Sequence, residues 1–222
     1  MRTPPARLRA CLVDFSLYLI TDRMQTAGRA LPAVVADALR GGLRAVQLRE
    51  KDFTGRQLFE LAGELRTVTH EYGAQLLIND RIDIALAVGA DGVQLGRASL
   101  PVAVARRILG SARIIGYSAH DLDEARQAER DGADFVTFGP VYATPSKAAY
   151  GEPLGLARLA EVVRSLTIPV FALGGVNISS AREAMSAGAH GVALISAIIA
   201  ARNPTAETES LLRIIAHHDT PS

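Results

Sequence analysis

The amino-acid sequence predicts a closed (β/α)₈ TIM barrel that forms a single α/β domain. Short apolar runs rich in Val and Ile alternate with longer segments of helical period, and this alternation occurs eight times within 222 residues. Alternating strands and helices indicate a parallel sheet with right-handed crossovers. Because no linker, charge run or low-complexity segment divides the chain, eight such units favour a closed barrel over an open sheet.

A repeated turn before several strands supports this fold. The stretches 89–93, 132–136 and 188–192 read GADGV, GADFV and GAHGV, and Gly41-Gly42 precedes the second strand in a similar way. Each stretch combines a glycine that can end a helix with a tight turn into a buried strand.

The predicted elements follow from these periods. The strands are Ser16–Thr21, Arg44–Arg49, Gln75–Asn79, Gly92–Leu95, Ile114–Ser118, Phe135–Phe138, Pro169–Leu173 and Gly191–Ile195. The helices are Leu31–Arg40, Thr54–Glu71, Ile82–Val88, Pro101–Leu109, Asp121–Asp131, Leu156–Ser165, Ser179–Ala187 and Ala206–His217. Four of these helices begin with a favourable cap or first-turn proline, namely Thr54, Pro101, Asp121 and Ser179.

Composition limits the classes of function. The formal net charge is +1, which indicates neither a nucleic-acid partner nor a membrane surface. No apolar run reaches the roughly 20 residues that span a bilayer. The single cysteine, Cys11, excludes an intrachain disulfide and a cysteine metal cluster. Residues 1–14 contain too short an apolar run for a signal peptide, so we expect a loosely ordered tail, a barrel domain over 15–222 and a cytoplasmic protein.

Polar residues follow the first two predicted strands. Thr21-Asp22-Arg23 after strand one is either a polar rim or a ligand contact. Strand two ends in Gln47-Leu48-Arg49-Glu50-Lys51, where four polar residues follow a buried run. Alternation can direct Gln47 and Arg49 to the same side, and Glu50 is the better candidate for a structural partner. Since barrel enzymes bind ligands at this end of their strands, the segment predicts a site for an anionic, polar ligand.

The next strand ends add further candidates. Asp80, in Asn79-Asp80-Arg81, could hold Mg²⁺ against a phosphate or could cap the following helix. Gly96, Arg97 and Ser99 follow strand four and indicate little by themselves. After strand five, Ser118 could donate to a phosphate oxygen, and His120 is either structural or a proton-transfer group.

A second anion site is predicted from the last strands. Gly174-Gly175 and Ile195-Ser196 offer backbone N–H groups to a phosphate, as barrels often do after strands seven and eight. The irregular stretch 139–155 contains Thr144-Pro145-Ser146-Lys147, a set suited to binding phosphate. Two phosphorylated substrates, or one long one, would fill two such sites on one rim.

Taken in order, the motifs resemble those of the thiamine-phosphate synthase (thiamine-phosphate pyrophosphorylase) and thiazole tautomerase family, from about Ser16 to Ala201. The resemblance rests on Tyr18–Asp22, Gln47–Lys51, Ile78–Arg81, Asp91–Val93, Phe138–Val141, Thr144–Lys147 and Leu173–Gly175.

The resemblance implies a Mg²⁺-dependent transferase of thiamine biosynthesis. An aminopyrimidine methyl diphosphate and a thiazole phosphate, carboxylated or not, would give thiamine phosphate and pyrophosphate. The family's pyrimidine diphosphate contacts correspond to Gln47, Leu48, Arg49, Glu50, Lys51, Asn79, Ser118 and Lys147. Its thiazole phosphate contacts correspond to Thr144, Pro145, Ser146, Gly175, Ile195 and Ser196. The resemblance places Mg²⁺ at Asp80 and implies catalytic roles for Lys147, Lys51, Arg49 and Ser118.

One position departs from the family pattern. The second metal carboxylate of the family follows the turn after strand four, where this chain has Ser99. Because a hydroxyl is a poorer Mg²⁺ ligand than a carboxylate, we expect a raised Mg²⁺ requirement.

Two other functions stay open at this point. A thiazole tautomerase would use His120 for proton transfer, although it would have no diphosphate for Gln47–Lys51 and Lys147 to hold. A non-catalytic protein could instead bind thiazole phosphate or thiamine phosphate. The expected partners are small phosphorylated substrates, and a homo-oligomer is compatible with the sequence.

Overall fold

A computed structural model describes residues 12–143 and 152–216 and shows a closed barrel of eight parallel strands. Each strand pairs with the next in the chain, and the eighth pairs with the first. The strands are β1 (Leu17–Ile20), β2 (Ala45–Leu48), β3 (Gln75–Asn79), β4 (Gly92–Leu95), β5 (Ile114–Ala119), β6 (Phe135–Phe138), β7 (Val170–Leu173) and β8 (Gly191–Leu194). The predicted fold is confirmed, and every strand lies within a residue of its predicted bounds.

Helices surround the barrel on its outer face. They are α1 (Leu31–Arg40), α2 (Gly55–Glu71), α3 (Ile82–Ala87), α4 (Val102–Leu109), α5 (Leu122–Asp131), α6 (Gly155–Ser165), α7 (Ile178–Ser186), α8 (Ser196–Ile199) and α9 (Pro204–Ala216). Two short elements were not predicted, namely α8 and a 3₁₀ turn at Arg23–Gln25. Neither is long enough to show a helical period. The last predicted residue of the final helix, His217, lies outside the described residues.

Two of the predicted helix caps are confirmed by their hydrogen bonds. Thr54 and Gln57 form a capping box, in which the Thr54 N–H donates to Gln57 Oε1 at 2.9 Å. Asp121 Oδ1 accepts from the N–H of Glu124 at 2.8 Å. Both caps satisfy backbone donors that the first turn of a helix leaves unpaired.

The other two helix starts differ from the prediction by a residue or two. Pro101 occupies the cap position directly before α4 rather than its first turn. The predicted cap Ser179 is wrong, because α7 begins at Ile178 and is capped by Asn177. Asn177 Oδ1 accepts from the N–H of Ser179 at 2.9 Å.

Aromatic side chains fill the barrel interior. Phe15, Tyr18, Phe135 and Phe171 are each at most 3% exposed, and the centroids of Phe135 and Phe171 lie 5.3 Å apart. The rings meet in tilted and edge-on arrangements, which aromatic pairs favour. A larger, separate core of aliphatic residues lies between the strands and the helices. The interior is therefore a packed core, and a ligand can reach the barrel only at its rim.

The segment before β1 packs against the barrel. Val13 and Phe15 are buried with the interior aromatic residues, and Gln75 Nε2 donates to the Leu12 carbonyl at 3.0 Å. Residues 12–14 belong to the segment predicted as a loose tail, yet they contact the barrel. The rest of that segment, 1–11, lies outside the described residues.

Within residues 12–143 and 152–216, no helix has the length and apolar character that crossing a bilayer requires.

The interior core yields a prediction about stability. Replacing Phe135 with Ala is expected to lower the free energy of unfolding by about 3–5 kcal/mol, because the cavity it leaves is lined by packed rings. Urea titration followed by far-UV circular dichroism measures the change. The matched control is Phe59→Ala, since Phe59 is 47% exposed on α2 and its loss is expected to cost roughly 0.5 kcal/mol. Equal losses for the two variants would contradict the assignment of Phe135 to the core.

Candidate active site

The segment Gln47–Lys51 leaves the barrel at the carboxyl end of β2. Gln47 is buried inside the barrel, whereas Leu48 packs in the outer core, as the alternation of a strand requires. Arg49 is half-buried and Lys51 is exposed. Among the described residues neither Arg49 nor Lys51 forms an ion pair. Two cations that pair with no carboxylate in the described part of the chain thus follow one strand, which favours an anionic ligand there.

Glu50 connects the loop after β2 to the loop after β1. Its carboxylate is buried and accepts from Thr21 Oγ1 at 2.8 Å and from the N–H of Arg23 at 3.2 Å. The same Thr21 oxygen accepts from the N–H of Arg49 at 2.9 Å. Glu50 is therefore a structural partner, as its position in the sequence suggested, and its carboxylate is hydrogen-bonded to the loop after β1.

Arg23 reinforces this connection from the loop after β1. Its guanidinium forms two hydrogen bonds to the Asp52 carboxylate, at 2.7 and 2.6 Å, and lies 4.3 Å from the centre of the Phe53 ring. The hydrogen bonds from Arg23 lower the pKa of Asp52 below its usual value. Exposed ion pairs contribute little energy individually, but these contacts act on one short loop. They order the segment that presents Lys51.

Asp80 stands at the end of β3 in an unusual backbone conformation. Its φ is 60°, the left-handed region that few residues other than glycine adopt and that Asp tolerates. Its carboxylate accepts from Asn79 Nδ2 at 2.8 Å and from Ser99 Oγ. The alternative that Asp80 caps the next helix is wrong, because Arg81 occupies the cap position of α3 and no side chain caps it.

Ser99 lies beside Asp80, at the position where the family resemblance predicts a second carboxylate. Its Oγ accepts from the N–H of Gly96 at 2.7 Å and donates to Asp80. The turn after β4 thus places a neutral hydroxyl on the carboxylate of Asp80.

The residues around Asp80 fit a Mg²⁺ ion that would be held partly by Asp80 and partly by a bound phosphate group. Asp80 is exposed, and each of its carboxylate oxygens accepts a single hydrogen bond from the described residues, which leaves lone pairs on both for a metal. The described residues contain no group of three or more His, Cys, Asp and Glu placed to hold a metal. Mg²⁺ commonly binds through one or two carboxylates together with phosphate oxygens and water.

Buried polar side chains cross the barrel interior near the carboxyl ends of the strands. Gln47 Nε2 lies 3.2 Å from the Tyr18 hydroxyl, which lies 3.4 Å from Gln94 Oε1. Gln94 Nε2 lies 3.0 Å from Ser118 Oγ, and Thr137 Oγ1 lies 3.2 Å from the same oxygen. We call this set the interior relay (Gln47, Tyr18, Gln94, Ser118 and Thr137).

The sequence predicted two members of the interior relay and missed the others. Gln47 and Ser118 were candidates because they are polar and lie at strand ends. Gln94 and Thr137 carry a weaker signal, a polar residue between apolar neighbours within a short buried strand. Tyr18 gave no such signal, because a tyrosine in a strand usually belongs to the core.

His120 and Arg97 lie together around Glu124 at the edge of the barrel. Glu124 Oε2 accepts from the N–H of His120 at 2.9 Å and lies 3.3 Å from His120 Nδ1, while Glu124 Oε1 pairs with Arg97 at 3.0 Å. A groove of about 500 Å³ between α4 and α5 borders this cluster, Ser99 and Tyr117. Arg97 thus pairs with Glu124, and not with Asp80, within the described part of the chain.

The loops after β6 and β7 pack closely against each other through main-chain contacts. Gly174 and Gly175 have φ values of 91° and 68°, and a Cβ on Gly174 would come within 2.7 Å of Pro140. The N–H of Val141 donates to the Leu173 carbonyl at 2.8 Å, which fixes the two loops together. Only glycine combines this positive φ with so close a contact between the two loops.

The loop after β8 continues directly into α8. Ser196 opens that helix and is exposed, and the N–H groups of Ser196, Ala197 and Ile198 have no partner within the helix, whereas that of Ile199 donates to the Ile195 carbonyl. The arrangement of Gly175, Ile195 and Ser196 is compatible with the predicted second anion site. The predicted residues Thr144, Pro145, Ser146 and Lys147 lie outside the described residues.

Comparisons with known proteins give one consistent result. Residues 17–198 match the family model described as thiamine monophosphate synthase. A Geobacter sulfurreducens protein with a provisional assignment as a thiamine-phosphate synthase is 60% identical over 91% of this chain and 95% of its own. The thiamine-phosphate synthase of Chloroflexus aurantiacus is 44% identical over 93% and 95% of the two chains. Among solved structures, the thiamine phosphate pyrophosphorylase from Pyrococcus furiosus aligns with a TM-score of 0.85 at 40% identity, covering 96% of this chain and 100% of that one.

The connection between Thr21 and Glu50 yields a prediction. Thr21→Val keeps the shape of the side chain but removes one donor, the Thr21 hydroxyl, from the buried Glu50 carboxylate and leaves the N–H of Arg49 without its acceptor. The free energy of unfolding is expected to fall by about 1–3 kcal/mol, measured by urea titration.

Thr67→Val is the matched control for this experiment. Thr67 is exposed on α2, and its hydroxyl donates to the Gly63 carbonyl at 3.2 Å. Its replacement is expected to change the free energy of unfolding by less than about 0.5 kcal/mol. If Thr21→Val costs no more than this control, the hydroxyl does not hold the two loops.

Proposed function

This chain belongs to the thiamine monophosphate synthase family and is a transferase that makes thiamine phosphate. We propose that the reaction takes place on the barrel rim, between the two predicted anion sites. The amine-bearing pyrimidine methyl diphosphate loses pyrophosphate, and the ring nitrogen of a thiazole phosphate, carboxylated or not, bonds to the methylene carbon. The observation that carries this proposal is that Arg49 and Lys51, on a loop held in place by Glu50, form no ion pair with the residues that the structure describes.

The two substrates divide the rim between them. The pyrimidine diphosphate is proposed to contact Gln47, Leu48, Arg49, Glu50, Lys51, Asn79, Ser118 and Lys147. The thiazole phosphate is proposed to contact Thr144, Pro145, Ser146, Gly175, Ile195 and Ser196. Burial of Gln47 within the barrel, and the close approach that Gly174 and Gly175 permit, support this division.

Asp80 would hold a Mg²⁺ ion together with phosphate oxygens of the substrate and water. When bound there, it would neutralise part of the charge on the pyrophosphate leaving group. Ser99 would contribute a hydroxyl at most, so the protein would supply one carboxylate among its described residues.

The residues of the chain act mainly by position and charge. Departure of pyrophosphate concentrates negative charge on the leaving group and leaves positive charge on the pyrimidine methylene. Arg49 and Lys51, with Lys147, stabilise the leaving group electrostatically. The thiazole, held by its own phosphate, stays next to the carbon that it attacks. No protein nucleophile is needed for this step.

The similarity to named synthases favours this function over the tautomerase. His120 is hydrogen-bonded to Glu124 and could transfer a proton, but a tautomerase site there gives no role to Arg49 and Lys51, which have no ion-pair partner among the described residues. A non-catalytic carrier would bind the same ligands and give no product.

The synthase reaction is tested by incubating the protein with both substrates and Mg²⁺. Thiamine phosphate and pyrophosphate are expected to form in equal amounts. Lys51→Ala and Arg49→Ala are each expected to lower kcat/KM about 100-fold, because each removes a charge aimed at the leaving group. Arg56→Ala is the control, since Arg56 is exposed on α2 and pairs with Glu60. Isomerisation of the thiazole alone, abolished by His120→Ala, would identify a tautomerase; binding without turnover would identify a carrier.

The metal requirement gives a second test. Ser99→Asp restores a carboxylate beside Asp80, and its side chain can still accept from the N–H of Gly96. The Mg²⁺ concentration for half-maximal activity is expected to fall about tenfold, whereas Asp80→Asn is expected to raise it. Calorimetric titration of Mg²⁺ into protein with pyrophosphate gives a readout that is independent of turnover.

Ser99→Ala separates charge from hydrogen bonding in this series. It removes the hydroxyl on Asp80 and adds no charge, so the Mg²⁺ requirement is expected to change by less than about threefold. If Ser99→Asp leaves the Mg²⁺ requirement unchanged, Ser99 does not occupy a position from which it reaches the metal.

A further inference from the structure

The hydrogen bonds of the interior relay run in one direction, because the Tyr18 hydroxyl between its two amides has a single proton to donate. The Tyr18 hydroxyl accepts from Gln47 Nε2 at 3.2 Å and therefore donates its own proton to Gln94 Oε1 at 3.4 Å. With its oxygen turned to Tyr18, the Gln94 amide directs its nitrogen to Ser118 at 3.0 Å and to Thr137 at 3.4 Å. The position of one phenolic proton thus fixes the orientation of two amides.

At the Ser118 end, the relay determines what the hydroxyl can offer a ligand. Ser118 Oγ accepts from Gln94 Nε2 and from Thr137 Oγ1, and a hydroxyl oxygen has two lone pairs. Both lone pairs are therefore used. What Ser118 has left to offer is its O–H, so it meets a ligand as a donor.

At the opposite end, the relay leaves Gln47 as an acceptor. The Gln47 nitrogen is bonded to Tyr18, so its Oε1 turns away from the relay. Among the described residues, Gln47 Oε1 accepts no hydrogen bond. A ligand that meets Gln47 must bring a donor to this oxygen.

Burial makes it costly to leave any member of the interior relay without a partner. Tyr18, Gln47, Gln94 and Thr137 are each at most 2% exposed, so their polar groups must find partners within the barrel or in a bound ligand. Burial also raises the pKa of Tyr18 well above its usual value, so the phenol keeps its proton.

Gly116 gives the Gln94 amide the room to take this orientation. Gly116 pairs with Gln94 across β4 and β5, and a Cβ on Gly116 would come within 2.3 Å of Gln94 Oε1. A glycine in the middle of a buried strand weakens that strand, which is explained if a neighbouring side chain occupies the space.

We propose that Tyr18 and Gln94 are positioning residues that make this enzyme selective for an aminopyrimidine over its oxo counterpart. Acting through Gln47, they present an acceptor that suits an exocyclic amine and disfavours a carbonyl at the same place. Acting through Ser118, they present a donor to a ring nitrogen or a pyrophosphate oxygen of the same substrate. The inference rests on the proposed function, since it concerns the pyrimidine site of that reaction.

Equilibrium binding tests the selectivity without requiring turnover. Calorimetry gives the dissociation constants of the aminopyrimidine methyl diphosphate and of the analogue with oxygen in place of the amine. For the unmodified protein the amine form is expected to bind at least about tenfold more tightly, the effect of about one hydrogen bond. For Tyr18→Phe and Gln94→Met, which release the Gln47 amide, this ratio is expected to approach one.

Tyr72→Phe is the matched control, because Tyr72 ends α2 and has no part in the interior relay. The ratio of the dissociation constants of two ligands, measured on one preparation, does not depend on the fraction of protein that is folded. A variant that merely destabilises the barrel therefore leaves the ratio unchanged, and this result would overturn the inference. The affinity for the thiazole phosphate is expected to stay within about threefold in all variants, because the relay does not reach β7 or β8.

Failure of the inference is distinguishable from failure of the proposed function. If the unmodified protein makes thiamine phosphate and binds both pyrimidines equally, the synthase stands and the relay sets no selectivity. If it binds neither pyrimidine, the proposed function fails and the inference fails with it.

Discussion

Closure of the barrel is the constraint on which the rest of the structure depends. Eight short strands that pair in a circle direct alternate side chains into one confined interior, which Phe15, Phe135 and Phe171 largely fill. A polar group that enters this space must find its partner there, since an unpaired buried donor or acceptor is costly. Near the carboxyl ends the interior relay meets that requirement. The packing that stabilises the barrel thereby also orients the polar groups beneath the site.

On the rim, some residues hold the loops in place and other residues are left available to bind a ligand. Glu50 is buried and bonded to the neighbouring loop, whereas Arg49 and Lys51 on either side of it form no ion pair with the described residues. Gly174 and Gly175 similarly let two loops approach each other through main-chain contacts. Contacts within the protein thus order the loops that carry the proposed binding groups, which would lower the entropy lost on binding.

Much of the fold and part of the candidate site could be predicted from the sequence, and particular residues show why. The strands and long helices were predictable because their apolar periods are local, and Gln47 and Ser118 because polar residues at strand ends are conspicuous. The bond between Tyr18 and Gln94 joins residues 76 positions apart, and no local pattern reports it. The same holds for Arg23 and Asp52, which meet only because β1 and β2 are neighbours. The left-handed backbone of Asp80 had no sequence signal, since Asp is common in ordinary turns.

The contacts of Arg23 and Thr21 with the loop after β2 have a consequence for redesign. Barrel enzymes are often altered by exchanging one rim loop at a time, on the view that each loop is an independent module. Here the loop after β2 takes its shape from donors on the loop after β1, so transplanting either alone would strand a buried carboxylate or an arginine. The unit of exchange at this end of the rim is the pair of loops, together with the strands that place them side by side.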